Sequence, residues 1–378
     1  MLQKLFSIQI KPQVVVTVLM LITTCLPAQV LEKRLETLVD SVYNANKDAL
    51  GILIHVESPD KHLSWTKAVG FSEKSKKQSL QPMQPVLIAS NTKTYVAAAI
   101  LRLVEDQLLQ LNAPIRTLLN TNTRTLLEND GYDLTKITVK QLLSHTSGIH
   151  DYVDDAYFDL VIKRPQYRWT KQEQIQRSVT IGKPLAKPGT AFHYGDINYL
   201  LLTEIIETVT QKDFYAAMRM LLRYDKLELK HTWFKGLEST PKDLPEFAHQ
   251  YAKDYTWDSS QINDSWDKFG GGGMATTVKD AALFYQYLFE GKIIRDKKLL
   301  KEMYTYVLPE NVSKYCLGIF HFDIGFRLYY HGGWWGTGVN HSPDTNTSIA
   351  VCTLVKEKRD RINPFLGKKI HEIISKID

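Results

Sequence analysis

The sequence has few of the features that identify several common classes of protein. Its 378 residues include only 3 cysteines, and neither HEXXH nor CXXC occurs, so no spacing indicates a metal site. The net charge is a mild +6, and no dense run of Lys and Arg with interleaved aromatics accompanies it. We therefore expect no metal and no nucleic-acid partner.

The scarcity of cysteine leaves one open question about disulfides. Cys316 and Cys352 lie in strand-like segments, YCLGIF and IAVCTL. A single disulfide between them is one interpretation for an exported chain. Buried free thiols are the preferred interpretation, because the sequence does not show that the two residues meet.

A long apolar run is also missing, but the N-terminus has a short one. Residues 1–11 carry two lysines and no acid, and residues 14–22 are apolar except for one threonine. This pattern predicts a signal peptide over residues 1–28 with cleavage after Ala28, and therefore a secreted or periplasmic protein. The run is too short to span a bilayer comfortably. A lipid anchor on Cys25 and an uncleaved anchor are the alternatives.

Strand-like segments lie at both ends of the chain, and helical patterns lie mainly between them. This order predicts an α/β (α+β) fold in which helices flank a central antiparallel sheet built from both termini. A mainly helical lobe of about residues 89–269 is inserted into a sheet lobe of about 31–88 and 270–378. The predicted strands cover 51–56, 63–70, 315–322, 326–331 and 347–355. The predicted helices cover 31–47, 92–109, 137–144, 197–210, 214–222, 277–289 (capped by Thr276) and 365–377.

The stretch VLIASNTKTYVAAAI places Ser90 and Lys93 where an apolar segment becomes helical. Serine is a weak nucleophile that needs a base in reach and donors for the oxyanion it creates. Residues three apart share one face of a helix, so Ser90 and Lys93 would point the same way. Lys93 could act as the base only if burial and positive neighbours lowered its pKa. Alone, the pattern also fits a capped, solvated helix start.

Three further segments add chemical groups to this pair. In PGTAFHYGDINYLLL, a Pro-Gly turn delivers Tyr194 just before a helix, where its hydroxyl beside a lysine fits a proton shuttle. In YYHGGWWGTG, a strand ends in Gly332 and Gly333, which let the backbone approach a ligand. A core tyrosine and a simple turn are the alternative interpretations. The third segment, LLSHTSGIHDY, indicates only a helix end and a loop.

In this order, the segments resemble the serine beta-lactamase and penicillin-binding protein superfamily. The most similar branch contains class C beta-lactamases, D-aminopeptidases, DD-carboxypeptidases and family VIII esterases. Its Ser-x-x-Lys motif matches residues 90–93, its Tyr-x-Asn motif matches 194–196, and its Lys-Thr-Gly or His-x-Gly motif matches 331–333. Two further family phrases match residues 141–148 and 272–277. The similarity covers roughly residues 35–375.

The resemblance implies a beta-lactamase/transpeptidase-like fold and a serine hydrolase domain over residues 29–378. It implies attack by the serine on a carbonyl, then hydrolysis of an acyl-enzyme by water, with no metal or organic cofactor. Its functional residues carry over as follows: Ser90, Lys93 and Tyr194 are catalytic, the backbone N–H groups of Ser90 and Trp334 form the oxyanion hole, and Asp196, His331, Gly332 and Gly333 bind substrate.

This sequence departs from the family pattern at two motif positions. Asp196 stands where an amide is usual, and a carboxylate only accepts hydrogen bonds. It could hold Lys93 charged, or orient it. His331 replaces the lysine of the best-known beta-lactamases, and a neutral histidine would hold a substrate carboxylate less tightly. Both changes argue against an efficient beta-lactamase. Trp334 and Trp335 follow directly, and either a core or a lid position fits them.

We expect an exported serine hydrolase that cleaves an amide or ester through an acyl-enzyme on Ser90. Its expected partner is a small molecule or peptide, with D-amino-acid-containing peptides such as cell-wall peptide as the leading class, and no membrane span remains after signal cleavage. A small-ester esterase or a weak beta-lactamase is the nearest alternative. A non-catalytic penicillin-binding-like sensor and a transferase are the others. Loops 151–190 and 241–268 should shape the pocket.

Overall fold

The computed structural model describes residues 29–377. The signal peptide, its cleavage site and Cys25 therefore lie outside the described residues. Within residues 29–377, every helix is too short or too polar to cross a bilayer.

Eleven strands occur in the described part of the chain, and six of them form the main sheet. That sheet is antiparallel throughout, with the strand order β2-β1-β11-β10-β9-β8. It therefore joins the two ends of the chain, which confirms the predicted fold class. The strands are β1 (Gly51–Ser58), β2 (Leu63–Gly70), β3 (Val86–Leu87), β4 (Thr232–Phe234), β5 (Tyr251–Ala252), β6 (Trp257–Asp258), β7 (Met274–Thr276), β8 (Phe320–Asp323), β9 (Arg327–Gly332), β10 (Thr337–Ser342) and β11 (Thr347–Thr353).

Helices cover both faces of this sheet and fill the middle of the chain. The division into two lobes at residues 88–89 and 269–270 stays a prediction. The α-helices are α1 (residues 29–44), α2 (Thr92–Glu105), α3 (Thr121–Asn129), α4 (Val139–Leu143), α5 (Asp155–Lys163), α6 (Lys171–Ile181), α7 (Asp196–Thr210), α8 (Phe214–Leu221), α9 (Val278–Phe289), α10 (Lys297–Met303) and α11 (Lys356–Ile374).

Strand β1 shows why the sheet needs helices on both sides. Successive side chains of a strand point to opposite faces, and in β1 both sets are apolar. Ile52 and Ile54 pack in one cluster with Leu35 of α1 and Leu366 of α11. Leu53 faces the other cluster, which contains α2 and α9. The sheet is therefore a buried layer between two apolar clusters, and α2, which Ser90 precedes in the chain, belongs to the second of them.

Two short strands bring the site segments together. In a three-stranded sheet, β3 pairs with β7, and β7 pairs with β4. Strand β3 directly precedes the segment that contains Ser90, and β7 directly follows the glycine run of residues 270–273. This pairing sets the glycine run beside the start of α2.

Several predicted boundaries are wrong. The last helix begins at Lys356, and not at residue 365 as predicted. Pro364 lies inside this helix and does not set its start. Thr277 caps α9 in place of Thr276, because the Thr277 side chain accepts from the backbone N–H of Asp280. Cys316 lies in a loop, whereas Cys352 lies in β11, and both are buried free thiols.

Some elements are missing from the sequence prediction altogether. The sequence did not predict strand β10, because its residues follow directly after the glycines of the third motif. Helices α5 and α6 lie in the polar stretch 151–190, where Asp154 and Thr170 cap them. Capping by short polar side chains starts a helix without a strongly apolar pattern.

The apolar contact between α1 and the sheet yields a test of stability. Leu35 is fully buried, so Leu35→Ala should destabilise the protein by about 2–5 kcal/mol through lost burial and the cavity left behind. Urea denaturation followed by circular dichroism would measure this. Leu38→Ala, at a partly buried position of the same helix, should cost distinctly less. Equal losses would contradict this account of the packing.

Candidate active site

Ser90 lies in a single 3-10 turn, Ala89–Asn91, that leads directly into α2. Ala89 has a φ of 43°, in the left-handed region that costs a residue with a Cβ of order 1–3 kcal/mol. This bend turns the chain sharply from β3 into the helix. As a result Ser90 stays half-buried and reachable, while Lys93, one turn later, is fully buried.

The Lys93 ammonium group is held by three acceptors. Its Nζ atom donates to Ser90 Oγ over 3.0 Å and to the carbonyl oxygen of Gly271 over 2.6 Å. It also lies 2.5 Å from Oδ1 of Asp196. The first and second motifs, which are about a hundred residues apart in the chain, therefore meet at one nitrogen atom.

Tyr194 completes this group at its accessible edge. The Lys93 Nζ atom lies 5.0 Å from the centre of the Tyr194 ring, and the residue keeps 40% of its surface exposed. Desolvation of the hydroxyl raises the pKa of Tyr194, although its interactions with Lys93 and Ser90 act in the opposite direction. Tyr194 is therefore a neutral phenol at neutral pH, beside both the serine and the lysine.

The charge of Lys93 differs from what a lysine base requires. Burial alone would lower its pKa, but the charge of Asp196, with smaller contributions from Tyr194 and Asp267, raises that pKa above its ordinary value. Lys93 is thus an ammonium ion in the resting protein. The sequence left open whether Asp196 holds Lys93 charged or orients it. The raised pKa of Lys93 indicates that the carboxylate holds it charged.

Two carboxyl groups that sequence reasoning missed surround this pair. Burial and the nearby charge of Asp196 raise the pKa of Asp151 to about 7. Burial, followed by the same charge, raises the pKa of Asp267 well above its ordinary value. Oδ1 of Asp151 accepts from the backbone N–H of Ile197 over 3.0 Å, and so caps α7, whose own N-cap is a glycine.

The glycine run is what allows the backbone to approach these carboxyl groups. A Cβ on Gly271 would lie 2.9 Å from the Cβ of Asp196, and one on Gly272 would lie 2.0 Å from Oδ2 of Asp267. Side chains at these positions would force the acids away. The run FGGGGM could have revealed this role, since glycine in such numbers indicates close backbone contact.

His331 is buried behind the site and is neutral. Its Nδ1 donates to the carbonyl oxygen of Gly332 over 2.9 Å, and its Nε2 accepts from the Tyr315 hydroxyl over 3.2 Å. Burial, with the charge of Lys93, lowers the pKa of His331 to about 3. Both nitrogens are therefore used inside the protein, and the ring carries no charge to offer a substrate.

A second buried histidine, His145, lies in the phrase LLSHTSGIHDY. Its ring centre is 4.3 Å from that of Tyr194 and 4.7 Å from that of Tyr315. Its Nδ1 accepts from the backbone N–H of Gly195 over 3.3 Å, which braces the loop between Tyr194 and Asp196. Burial lowers the pKa of His145 well below its ordinary value, so it is a neutral support.

The end of β9 packs directly against the segment before Ser90. A Cβ on Gly333 would lie 2.1 Å from the carbonyl oxygen of Ile88, so only glycine fits. Asn91 Nδ2 donates to Thr337 Oγ1 over 2.9 Å, which ties the two segments together. This contact brings the peptide between Gly333 and Trp334 next to the Ser90 turn, where an oxyanion hole was predicted.

Trp334 and Trp335 belong to an aromatic cluster beside the site. Trp335 is buried, whereas Trp334 is half-buried and packs 4.6 Å from Trp257, between ring centres. Trp334 also stacks on Phe158 of α5, at 5.8 Å. The members of this cluster from residues 151–190 and 241–268 are Phe158, Trp257 and Trp266.

The fold, with Ser90, Lys93 and Tyr194 brought together at one site, is that of a serine hydrolase. A family model described as Beta-lactamase matches residues 40–367. The chain therefore belongs to the Beta-lactamase family, which confirms the resemblance inferred from the motifs. In the described part of the chain, no group of three His, Cys, Asp or Glu side chains could hold a metal ion.

Three similar proteins illustrate the breadth of the family. Protein flp of Staphylococcus aureus (strain MW2) is 32% identical over 171 residues, or 45% of this chain and 32% of that protein. The chain thus spans about a third of the length of that relative. The D-amino acid amidase of Ochrobactrum anthropi SV3 has a TM-score of 0.75 at 22% identity, over 90% of this chain and 99% of that chain. EstCE1, a hydrolase with promiscuous acyltransferase activity, has a TM-score of 0.70 at 18% identity, over 91% and 99%. These two likenesses show the fold alone.

The raised pKa of Asp151 predicts a specific effect of pH on stability. An unfolded aspartate loses its proton near 3.8, whereas folded Asp151 keeps it until about 7, so this residue makes the fold less stable as pH rises between those values. Asp151→Asn keeps an oxygen that can cap α7 and has no proton to lose. Relative to the wild type, its melting temperature should rise from about pH 4 to about pH 7 and then level off.

The control is Asp151→Ala, which removes the cap as well as the charge and should melt lower across this range. Thermal melts in a series of buffers would measure both variants. A constant difference between Asp151→Asn and the wild type at every pH would refute this assignment.

Proposed function

We propose that this protein is an exported serine hydrolase that opens amide bonds of D-amino-acid derivatives through an acyl-enzyme on Ser90. The observation that carries the proposal is the buried Lys93 ammonium, held between Ser90 Oγ at 3.0 Å and Asp196 Oδ1 at 2.5 Å. Export rests on the basic start and short apolar run of residues 1–28.

The first proton transfer runs through Lys93 to Asp196. Since Lys93 is charged at rest, it can take the Ser90 proton only as it gives one of its own to Asp196. The freed Ser90 oxygen attacks the substrate carbonyl, whose oxygen becomes an oxyanion. Asp196 then holds the proton, and Lys93 is again an ammonium ion.

Tyr194 serves the second half of acylation. Its neutral hydroxyl donates the proton that the leaving amine needs, and the phenolate recovers a proton from Lys93. Lys93 is reprotonated by Asp196, so every group returns to its resting state. Water then attacks the acyl-enzyme, and the same groups act in reverse order.

The backbone N–H groups of Ser90 and Trp334 donate hydrogen bonds to the oxyanion. Both lie where the end of β9 packs on the turn before α2, and neither donates to an acceptor within residues 29–377. Removing one such donor typically costs about 3–4 kcal/mol in the barrier. The tight contact at Gly333 therefore matters as much as the side chains.

The substrate class follows from which charges the site lacks. A substrate carboxylate, as in a beta-lactam or a peptide C-terminus, needs a cation, and His331 is neutral with both nitrogens engaged. An amide or an aminopeptidase-type substrate needs no such cation. The fold shared with a D-amino acid amidase supports this choice within the family.

A small-ester hydrolase is the second candidate. The aromatic cluster around Trp334 would favour apolar acyl groups, and EstCE1 shares the fold. A non-catalytic binder is the alternative of another class, and it predicts acylation without turnover.

Labelling and turnover together test the proposal. A fluorophosphonate should add one adduct to the wild type and none to Ser90→Ala, as read by intact mass. A panel of D-alanine amide, its L-enantiomer, a D-alanyl-D-alanine peptide, p-nitrophenyl butyrate and nitrocefin should show fastest turnover of the D-amide. An unlabelled wild type would refute the nucleophile, and faster nitrocefin turnover would refute the substrate class.

The proton path through Asp196 predicts a change in pH dependence. In Asp196→Asn the acceptor for the Lys93 proton is gone and the pKa of Lys93 falls, because Asp196 is the largest influence that raises it. Near neutral pH the rate of fluorophosphonate acylation should drop by about 10²-fold, as for loss of a proton acceptor. The rate should then rise with pH as Lys93 itself becomes neutral.

Asp151→Asn is the matched control, since it removes a nearby acid that does not contact Lys93. Because Asp151 and Asp196 influence each other's charge, Asp151→Asn should shift any inflection near pH 7, but it keeps the acceptor for the Lys93 proton and should lose little of the acylation rate at neutral pH. Quenched acylation assays across a pH series would compare the fluorophosphonate acylation rates of the wild type, Asp196→Asn and Asp151→Asn. An Asp196→Asn profile parallel to the wild type would contradict a proton path through this carboxylate.

A further inference from the structure

The peptide group between Gly333 and Trp334 has an unusual partner on its carbonyl side. The guanidinium group of Arg359 donates through Nη1 to the carbonyl oxygen of Gly333 over 2.7 Å. The backbone N–H of Gly336 donates to the same oxygen over 3.1 Å. A charged side chain from α11 therefore holds the oxygen end of this one peptide.

The geometry of a peptide couples that oxygen to the opposite hydrogen. A trans peptide is planar, with its C=O and N–H pointing in opposite directions, and no cis peptide occurs among the described residues. The N–H on the other side of the Gly333 peptide is that of Trp334, the predicted oxyanion donor. The bond from Arg359 to the Gly333 carbonyl oxygen therefore constrains the plane and the direction of the Trp334 N–H.

The charge of Arg359 adds an electronic effect to the geometric one. A carbonyl that accepts a charge-assisted hydrogen bond is polarised, which makes the N–H of the same amide a stronger donor. Only 19% of the Arg359 side chain is exposed, so water screens this bond little. The guanidinium group also donates through Nε to Oδ1 of Asp360 over 2.7 Å.

The other contacts of Gly333 do not set the direction of its carbonyl oxygen. Its N–H donates to the carbonyl oxygen of Thr337 over 2.8 Å, and a Cβ at this residue would lie 2.1 Å from the carbonyl oxygen of Ile88. These contacts fix where the residue lies. The rotation of the following peptide is left to Gly336 and Arg359.

We propose that Arg359 is a positioning residue for the oxyanion hole: by gripping the Gly333 carbonyl, it aims and strengthens the Trp334 N–H that stabilises the transition state. This inference rests on the proposed function, because it presupposes an oxyanion formed at Ser90. It assigns a role in the reaction to α11, which supplies none of the motif residues.

The test compares Arg359→Met with Arg361→Met, two residues further along α11. Arg361 is exposed and bonds Asn46, away from Gly333, so its variant matches the loss of charge without the contact. With p-nitrophenyl butyrate, Arg359→Met should lose about 10- to 100-fold in kcat while KM changes little, because the lost interaction acts on the transition state. Arg361→Met should keep wild-type kcat.

A transition-state probe separates this role from a structural one. Phenylboronic acid forms a tetrahedral adduct on a serine. Its inhibition constant should therefore rise in Arg359→Met by about the factor lost in kcat/KM. Arg359→Lys should fall between the wild type and the methionine variant. Thermal melts should show Arg359→Met folded at the assay temperature.

Three results would overturn the inference. They are a wild-type kcat in Arg359→Met, a loss in kcat without weaker boronate inhibition, and an equal loss in Arg361→Met. A wild type that neither turns over substrate nor takes a fluorophosphonate would instead refute the proposed function. The wild-type control therefore tells the two failures apart.

Discussion

The structure around Ser90 depends on keeping one ammonium ion satisfied away from water. A buried charge without partners costs several kcal/mol, so Lys93 requires acceptors on every side. They come from three separate parts of the chain: the turn before α2, the glycine run at Gly271, and the first residue of α7, Asp196. Holding Nζ in place also holds Ser90 Oγ, so the same contacts that stabilise the buried ammonium also place the proposed nucleophile.

The acids next to Lys93 and Asp196 limit the negative charge of the site by keeping their protons. With Asp151, Asp196 and Asp267 close together, three full negative charges would repel each other strongly. Burial and the charge of Asp196 raise the pKa of both Asp151 and Asp267, so these two hold protons where an exposed aspartate would have lost them. The single positive charge of Lys93 then faces mainly one carboxylate. The glycines at 271 and 272 make the arrangement sterically feasible.

Motif spacing was enough to predict the fold class and the residues that meet, but not their charges. Ser90 and Lys93 lie one helical turn apart, and a Pro-Gly turn or a glycine pair places Tyr194 and His331 at element ends. Asp151, in a loop, and Asp267, at the end of the 3-10 turn Asp264–Asp267, were missed because their positions relative to Lys93 depend on tertiary packing. The state of Lys93 was also beyond the sequence, since it turns on a 2.5 Å contact with Asp196 across a hundred residues.

The two departures from the family pattern, Asp196 and His331, are linked by electrostatics. Asp196 holds Lys93 charged, and the charge of Lys93 is one of the causes that lower the pKa of His331. A second ammonium at position 331 would face Lys93 in the same buried pocket, whereas a neutral imidazole does not. The Lys93–Asp196 pair carries no net charge, and a neutral imidazole at position 331 adds none to the buried pocket. Because Lys93 is engaged by Asp196, its ammonium group is not free to bind a substrate carboxylate, so the proposed proton path and the proposed substrate preference rest on the same charge pair.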